Sequence, residues 1–323
     1  MNRPTQKNAS PVMAKNSETQ ALDPRLYVEY RRLVKLQALS HSFQLLPKWQ
    51  AKSVMAGRHH SRFRGRGLNF EELKHYQVGD DIRCLDWKVT LRTGQPHVRL
   101  YSEEKDRNVV ILVDQGANMF FASTDTMKSV VAAEVAALIS WRVLREGDRV
   151  GLLIKTDKKC LWAAPMRGQN HVLHLLKSLS QTNQTLNVES SNSVTFGDAL
   201  TTLAKRDLRQ STVIILSDFL SLTEDEISKL KNIQRSNDLL AVRISDPMEQ
   251  LIPNHADWVM GDGHYQFSLH QQQQISAVNQ QFSKTVAKNG KALNDLMVRH
   301  NLPLVELTTD GNHLSQLKRA IGA

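Results

Sequence analysis

Two aspartates in this sequence stand where an α/β sheet can present ligands. Asp114 closes the apolar run "NVVILVD" and Asp218 closes "STVIILSD". Short apolar runs of this kind are typical of strands that are buried on both faces of a parallel sheet. Such a sheet binds its ligands at the carboxyl edge, and carboxylate oxygens are ligands that Mg²⁺ prefers. The two aspartates are therefore candidate ligands of a hard cation, or else relics of such a site on a scaffold that binds partners, and Asp218 would equally serve as the cap of the helix after "SDF".

The elements that must position these aspartates lie after residue 108, where strand and helix patterns alternate. This alternation predicts a doubly wound, mostly parallel, Rossmann-like α/β sheet over residues 109–323. A β-hairpin is predicted around Gly261-Asp262-Gly263, and a long helix from there to about residue 300. The other predicted strands are 109–113, 150–154, 211–219, 239–244 and 302–307, and the other predicted helices are 127–144, 169–180, 197–207, 223–235 and 313–321.

The first third of the chain has a different composition and a different pattern of apolar residues. Residues 1–21 are polar and aperiodic, which predicts a disordered tail. Residues 22–108 are predicted to form an N-terminal helix followed by a small β-rich lobe. Asp23-Pro24 is a helix-start signal, and Pro47 is expected to end that helix. The alternating run "PHVRLYSEE" at 96–104 predicts a half-buried strand within the lobe.

Nearly all of the excess positive charge lies in this first third. Residues 1–108 hold 20 Lys and Arg against 11 Asp and Glu, whereas residues 109–323 hold 22 against 21. A basic block of this kind predicts an acidic partner, with a solvated basic face as the plain alternative. Nucleic-acid binding is the alternative function, since Arg, His and Phe are interleaved in "RHHSRFRGR". No basic stripe continues into the rest of the chain, which argues against it. The arginines of this basic patch are Arg58, Arg62, Arg64 and Arg66.

Several classes of protein are disfavoured by what the sequence lacks. It has no run of about 18 apolar residues, so no membrane span is predicted, and its first 20 residues lack the apolar core of a secretory signal. The isolated Cys84 and Cys160 suit a reducing cytoplasm. No Walker-type loop and no Gly-x-Ser-x-Gly elbow occur, which argues against an ATPase and a hydrolase of that type. The chain is therefore predicted to be cytoplasmic and not an enzyme.

Four histidines of the first third invite a comparison with a zinc cluster. No cysteine partner and no helical His-x-x-x-His spacing supports such a cluster, so solvated or stacking roles are favoured. These histidines are His59, His60, His75 and His97.

A compact polar block, "QVGDDIRCLDW", could do chemistry or hold a fold together. Asp80, Asp81 and Asp86 lie close to Arg83 and Arg92 in sequence, so a buried polar network is one interpretation. A catalytic carboxylate pair is the other. The network is favoured, because no phosphate-binding loop stands beside the block.

The strand-end aspartates and their spacing resemble the von Willebrand factor A family. In its metal-ion-dependent adhesion site, the first loop reads Asp-x-Ser-x-Ser, a middle loop adds a Thr, and a later strand supplies an Asp. Here the first loop is "DQGAN", with Gly116 and Asn118 at the two serine positions. The resemblance implies a degenerate, weak site for Mg²⁺ or Mn²⁺. Its candidate residues are Asp114, Gly116, Asn118, Thr195 and Asp218.

The middle-loop ligand stays open, since Ser193 and Thr195 flank the strict register position, Val194. Changing Gly116 and Asn118 to Ser is expected to recreate the hydroxyl pattern and to strengthen metal binding.

A longer stretch resembles the bacterial family known as domain of unknown function 58 (DUF58). In that family a signature block precedes an A-type domain. The sequence of this chain matches the block at most of its positions, with Lys74 where an Arg is usual. The resemblance implies a partner-binding adaptor that acts with a MoxR-type AAA+ ATPase, and with other A-domain proteins, in chaperone-like maturation of protein complexes. Members often carry N-terminal membrane helices, which this sequence lacks. The matching residues are Phe70, Tyr76, Gly79, Asp80, Asp81, Arg83, Asp86 and Trp87.

Overall fold

The computed structural model describes residues 22–42, 68–103, 107–187, 193–220, 222–249, 258–261, 266–269, 293–295 and 297–321. The predicted tail at 1–21, the basic patch Arg58–Arg66 and most of the predicted long helix before residue 300 lie outside these described residues. Within them, no helix is long and apolar enough to cross a membrane.

Strands and helices occur throughout the described ranges of the chain. The strands are β1 (Leu68–His75), β2 (His97–Glu103), β3 (Asn108–Gln115), β4 (Arg149–Thr156), β5 (Cys160–Met166), β6 (Ser211–Ser217), β7 (Asp238–Ser245), β8 (Trp258–Gly261), β9 (Gln266–Leu269) and β10 (Leu304–Thr308). The helices are α1 (Tyr30–Lys35), α2 (Trp87–Thr93), α3 (Lys128–Arg145), α4 (Gln169–Asn183), α5 (Phe196–Ala204), α6 (Glu224–Gln234) and α7 (His313–Ile321).

A six-stranded sheet in the order β10-β7-β6-β3-β4-β5 forms the centre of the fold. Strands β10, β7, β6, β3 and β4 are parallel, and β5 pairs antiparallel with β4. The prediction of a mostly parallel α/β sheet is confirmed. Because β3 and β6 are parallel neighbours, their last residues meet at the same edge of the sheet.

Helices cover both faces of this sheet, and alternate residues of β3 enter the two cores. Ile111 packs in the cluster that includes Val131 and Leu138 of α3. Leu112 packs in the other cluster, with Leu200 of α5 and Leu230 of α6. All six side chains are buried, as the period of two along a strand between two helix layers requires.

The N-terminal segment corrects one prediction. The helix expected to begin at Asp23-Pro24 begins instead at Tyr30, and α1 ends at Lys35. The backbone of Val28, before α1, forms hydrogen bonds with side chains of α4. Val28 N–H donates to Asn183 Oδ1 at 2.7 Å, and Ser180 Oγ donates to the Val28 carbonyl at 2.8 Å. These tertiary hydrogen bonds use backbone groups that a continuing helix would need.

Strands β1 and β2 pair antiparallel in a two-stranded sheet of their own, as do β8 and β9. His75 and His97 face each other across β1 and β2, with ring centroids 4.4 Å apart. Two elements were missed in the sequence, α2 in the small lobe and the edge strand β5. Strand β5 is half exposed and contains Pro165, which is tolerated at a sheet edge.

Candidate functional site

The structure brings Asp114 and Asp218 together at the carboxyl edge of the sheet. Ser217, at the end of β6, donates its hydroxyl to Asp114 Oδ2 at 2.9 Å. The Asn118 amide nitrogen lies 3.1 Å from both oxygens of Asp218 and 3.5 Å from Asp114 Oδ2. Both carboxylates are almost completely buried. The loop after β3 thus joins the two aspartates through one amide side chain.

Each of these carboxylates is paired with a buried lysine that the sequence did not reveal. Lys155 Nζ lies 3.2 Å from Asp114 Oδ1, and the two residues are register partners on β4 and β3. Lys128 Nζ, from the first turn of α3, lies 3.0 Å from Asp218 Oδ2 and 2.7 Å from Glu249 Oε1. Lys155 is 4% exposed and Lys128 is 1% exposed. Because a buried charge needs a partner, the lysines and aspartates compensate one another.

Gly116 is required by the space around it rather than by its backbone. Its φ of −91° and ψ of 170° suit any residue. A Cβ atom at this position would lie 2.4 Å from Lys155 Nζ, 2.7 Å from Asn118 Oδ1 and 3.0 Å from Asp157 Oδ1. The first of the two serine positions is therefore filled by the tip of a lysine from the neighbouring strand.

The ionisation of these groups follows from burial and neighbouring charge. Burial raises the pKa of Asp114, and the charge of Asp218 adds to the rise, while Lys155 and Ser217 oppose it. Burial alone would lower the pKa of Lys128, but the carboxylates of Asp218 and Glu249 outweigh burial and hold that pKa above its ordinary value. The Lys128 ammonium is therefore charged at neutral pH.

The middle loop reaches the site through its backbone and through the Ser193 hydroxyl, which donates to the Asp157 carbonyl at 2.6 Å. Ser193 and Val194 donate their amides to the Asp157 carbonyl at 2.9 and 3.0 Å, and the Asp157 carboxylate accepts from Ala117 N–H at 3.0 Å. The Thr195 hydroxyl instead lies 2.7 Å from the carboxylate of Asp198 within the capping box of α5. The candidate threonine thus has a structural partner of its own.

The donor set around Asp114 does not fit a hard divalent cation, which needs several free oxygen ligands. Asp114 already accepts from Gly116 N–H at 3.0 Å, from Ser217 and from the Lys155 ammonium. Asn118 turns its nitrogen, not its oxygen, toward Asp218. Within the described ranges, no group of three or more His, Cys, Asp or Glu side chains is arranged to hold a metal ion.

Another buried aspartate at the same edge was missed in the sequence. Asp246 follows β7 and accepts hydrogen bonds from Ser123 N–H at 2.8 Å, from the Ser123 hydroxyl, and from Thr309 Oγ1 at 2.5 Å. It therefore ties the loop before α3 to the end of β10. The signal was present, because "AVRISD" ends in an aspartate in the same way as the runs that close on Asp114 and Asp218.

The carboxylates of the signature block have structural partners. Asp86 accepts from Lys88 N–H and Val89 N–H at the start of α2, and Arg99 Nη2 lies 2.7 Å from its other oxygen. Asp81 accepts from Arg83 N–H at 2.9 Å as the cap of a short 3₁₀ turn.

Asp80 accepts from Gln77 N–H at 2.9 Å, and its carboxylate lies 3.5 Å from Lys74 Nζ. The block is thus held by caps and ion pairs, but the predicted pairing with Arg83 or Arg92 is wrong, because Asp86 pairs with Arg99 and both of those arginines are exposed. Gly79 has a φ of +108°, which few other residues adopt. Tyr76 donates its N–H to the Pro96 carbonyl at 2.9 Å, and the side chain of Phe70 lies outside the described set.

Large apolar side chains of the same block point to solvent. Trp87 is 63% exposed, Leu91 is 83% exposed and Ile82 is 62% exposed. Trp87 and Leu91 are four residues apart on α2, so they lie on one face of the helix. We call these three residues the apolar face. The exposed basic residues nearest to it in sequence are Arg83, Lys88 and Arg92.

Comparison with known proteins identifies relatives over most of the chain. The uncharacterized protein Rv1480 of Mycobacterium tuberculosis is 26% identical over 294 residues, which cover 90% of each chain. The uncharacterized protein YeaD of Bacillus subtilis is 29% identical over 108 residues, covering 33% of this chain and 25% of YeaD.

Among solved structures, the SpRpn10 VWA domain matches 66% of this chain and 94% of that domain, with a TM-score of 0.37 and 12% identity. A von Willebrand factor type A protein from Catenulispora acidiphila matches 69% of this chain and 44% of that one, with a TM-score of 0.35 and 10% identity.

The family model described as protein of unknown function DUF58 matches residues 72–292. This match spans the signature residues from Tyr76 to Trp87, both strand-end aspartates and the two buried lysines, and it confirms the family that the signature block predicted. The chain therefore belongs to the DUF58 family.

Proposed function

We propose that this protein is a non-enzymatic, cytoplasmic adaptor that binds other proteins through the apolar face. Its partner would be a MoxR-type AAA+ ATPase, together with other A-domain proteins, in the chaperone-like maturation of protein complexes. Membership of DUF58 and the A-type fold support a role in protein interaction. The observation that carries the proposal is the exposure of Trp87 and Leu91 on one face of α2.

Burying the apolar face against a partner would be favourable. Trp87 and Leu91 lie on adjacent turns of α2, and binding a partner would remove their apolar surface from water. Tryptophan and arginine are also the residues that most often dominate the energy of an interface. The protein's own acidic groups in the block are engaged in caps and pairs, so Arg83, Lys88 and Arg92 give the surroundings of the apolar face a basic character. The matching surface on the partner would be apolar with an acidic rim.

The experiment is a binding titration between this protein and the purified MoxR-type ATPase of the same organism. Trp87→Ala with Leu91→Ala removes the two side chains that α2 contributes to the apolar face without touching the Asp86 cap. Val298→Ala is the matched control, because Val298 is also apolar and 78% exposed but lies far from the block in sequence. If Trp87 is a dominant contact, the double variant should weaken binding by about thirtyfold or more, as expected for a loss of about 2 kcal/mol.

Two outcomes would overturn different parts of the proposal. Binding that is unchanged in the double variant would move the interface away from α2. The absence of any complex between the natural protein and the ATPase, with both proteins folded, would show that the partner class is wrong.

A further inference from the structure

We infer that the Lys155 ammonium is the resident cation of this sheet edge, and that the site is built to work without a divalent metal. The inference concerns the group formed by Asp114, Gly116, Asn118, Lys155 and Asp218. It does not depend on the proposed partner, because it rests only on contacts within the chain.

The first support is the position of the ammonium. Lys155 Nζ would be 2.4 Å from a Cβ atom at position 116, which is the first serine position of the pattern that the loop resembles. That hypothetical Cβ atom would also lie 2.7 Å from Oδ1 of Asn118, the residue at the second serine position. The lysine tip thus lies among the residues that would otherwise supply ligands to a metal.

The second support is that the ammonium is buried beside a carboxylate that is itself held in place. Lys155 is 4% exposed, and its stem leaves the end of β4 directly beside Asp114 on β3. Its partner carboxylate is fixed by Gly116 N–H and Ser217 Oγ at 3.0 and 2.9 Å. Moving the ammonium out would leave a buried carboxylate without its cation, which is costly in a protein interior.

The third support is the second lysine. Asp218, the other candidate metal ligand, has its own ammonium from Lys128 at 3.0 Å. A divalent ion placed between the two aspartates would therefore meet a positive charge on each side. Repulsion at short range in a site of low dielectric opposes its entry. Gly116 completes the arrangement, since any side chain there would take the space of the lysine tip.

One consequence is that restoring serines alone does not restore a metal site. In the natural protein, Gly116→Ser places a side chain on the Lys155 ammonium. The variant that should gain a metal is the triple change Lys155→Ala, Gly116→Ser and Asn118→Ser. It removes the ammonium, frees an oxygen of Asp114 and supplies two hydroxyls.

The test is a titration of Mn²⁺ followed by the electron paramagnetic resonance signal of the free ion. The natural protein should leave the signal at the level of buffer alone, and so should Lys158→Ala, which removes an exposed lysine next to β4. The triple variant should take up Mn²⁺, and adding Asp114→Asn to it should abolish the uptake. Its midpoint of thermal unfolding should rise with Mn²⁺, because a ligand of the folded state stabilises it.

Two results would overturn the inference. Uptake of Mn²⁺ by the natural protein, lost on Asp114→Asn, would show that the metal and Lys155 share the site. Failure to take up Mn²⁺ both by the folded triple variant and by a folded variant that adds Lys128→Ala to it would show that the Lys155 ammonium does not occupy a metal position. If the triple variant fails to fold, the comparison of the natural protein with Asp114→Asn still decides whether a metal is taken up at this site.

Discussion

Lys155 Nζ lies 3.2 Å from Asp114 Oδ1, at the end of two neighbouring parallel strands and with both side chains buried. Removing one member of a buried ion pair leaves the other charge uncompensated, which typically costs about 3–5 kcal/mol. We therefore expect Lys155→Ala to lower the free energy of unfolding by an amount of that order. Urea denaturation measures it, with Lys158→Ala as the control that should change little.

Gly116 and Lys155 should be energetically coupled. Gly116→Ala alone should destabilise the fold by about 1–3 kcal/mol, because it overpacks a filled space. In the Lys155→Ala background the added methyl group meets no ammonium, so the loss in free energy of unfolding caused by Gly116→Ala should be smaller. A double-mutant cycle from urea denaturation measures the coupling. Additive effects would show that the lysine tip does not occupy the space beside Gly116.

Asp246 should make the stability depend on pH in the acid range. Burial acts to raise the pKa of Asp246, but hydrogen bonds from Ser123, Thr309 and Met248 outweigh it and hold the pKa below its ordinary value of 3.8. A lowered pKa contributes stability that is present above pH 3.8 and is lost as the pH falls through the lowered value.

Asp246→Asn should therefore be less stable than the natural protein at neutral pH, by about 1–3 kcal/mol. The difference should shrink below pH 3.8. Denaturation midpoints measured across this range test it, with the exposed Asp207→Asn as the control. A difference that stays constant with pH would contradict the assignment of the titration to Asp246.

Asp86 should hold the start of α2. Its carboxylate accepts from the amides of Lys88 and Val89 at 3.0 and 3.2 Å. Asp86→Ala removes the cap and the partner of Arg99, so those two amides should lose protection from hydrogen exchange. Asp86→Asn should retain part of the protection, because its side-chain oxygen can still accept. Unchanged exchange in Asp86→Ala would show that α2 is held by other contacts.

Nucleic acid is the alternative partner, and its signature is salt dependence. We expect little binding to RNA or DNA at physiological salt, because a basic patch without a continuing stripe gives few phosphate contacts. Tight, salt-sensitive RNA binding that disappears when Arg62, Arg64 and Arg66 are changed to Ala would reverse the order of the two proposed functions.

The sequence predicted the central sheet because its signals are local. Apolar runs such as "VVILV" are long enough to indicate buried strands, and their alternation with helices indicates parallel pairing. Asp114 and Asp218 could be placed at one edge for the same reason. Strand β5 was not predicted, because it is half exposed and contains Pro165. Helix α2 was not predicted, because its large side chains face solvent and form no buried apolar stripe, although Asp86 and Gly94 mark its two ends.

The chemistry of the site could not be predicted in the same way. Lys155 reaches Asp114 only because β4 is the neighbour of β3, and the order of strands in a sheet is not written in any local pattern. Lys128 reaches Asp218 only through the position of α3 over the sheet edge. Gly116 was interpreted as a lost ligand, whereas in the structure it makes room for the lysine.

The most direct measurement is a crystal structure of the natural protein grown in millimolar Mn²⁺, with anomalous data collected at the manganese edge. We predict no anomalous peak between Asp114 and Asp218, and the Lys155 ammonium within hydrogen-bonding distance of Asp114. A manganese peak bound by Asp114, with the Lys155 side chain turned away from it, would contradict the account.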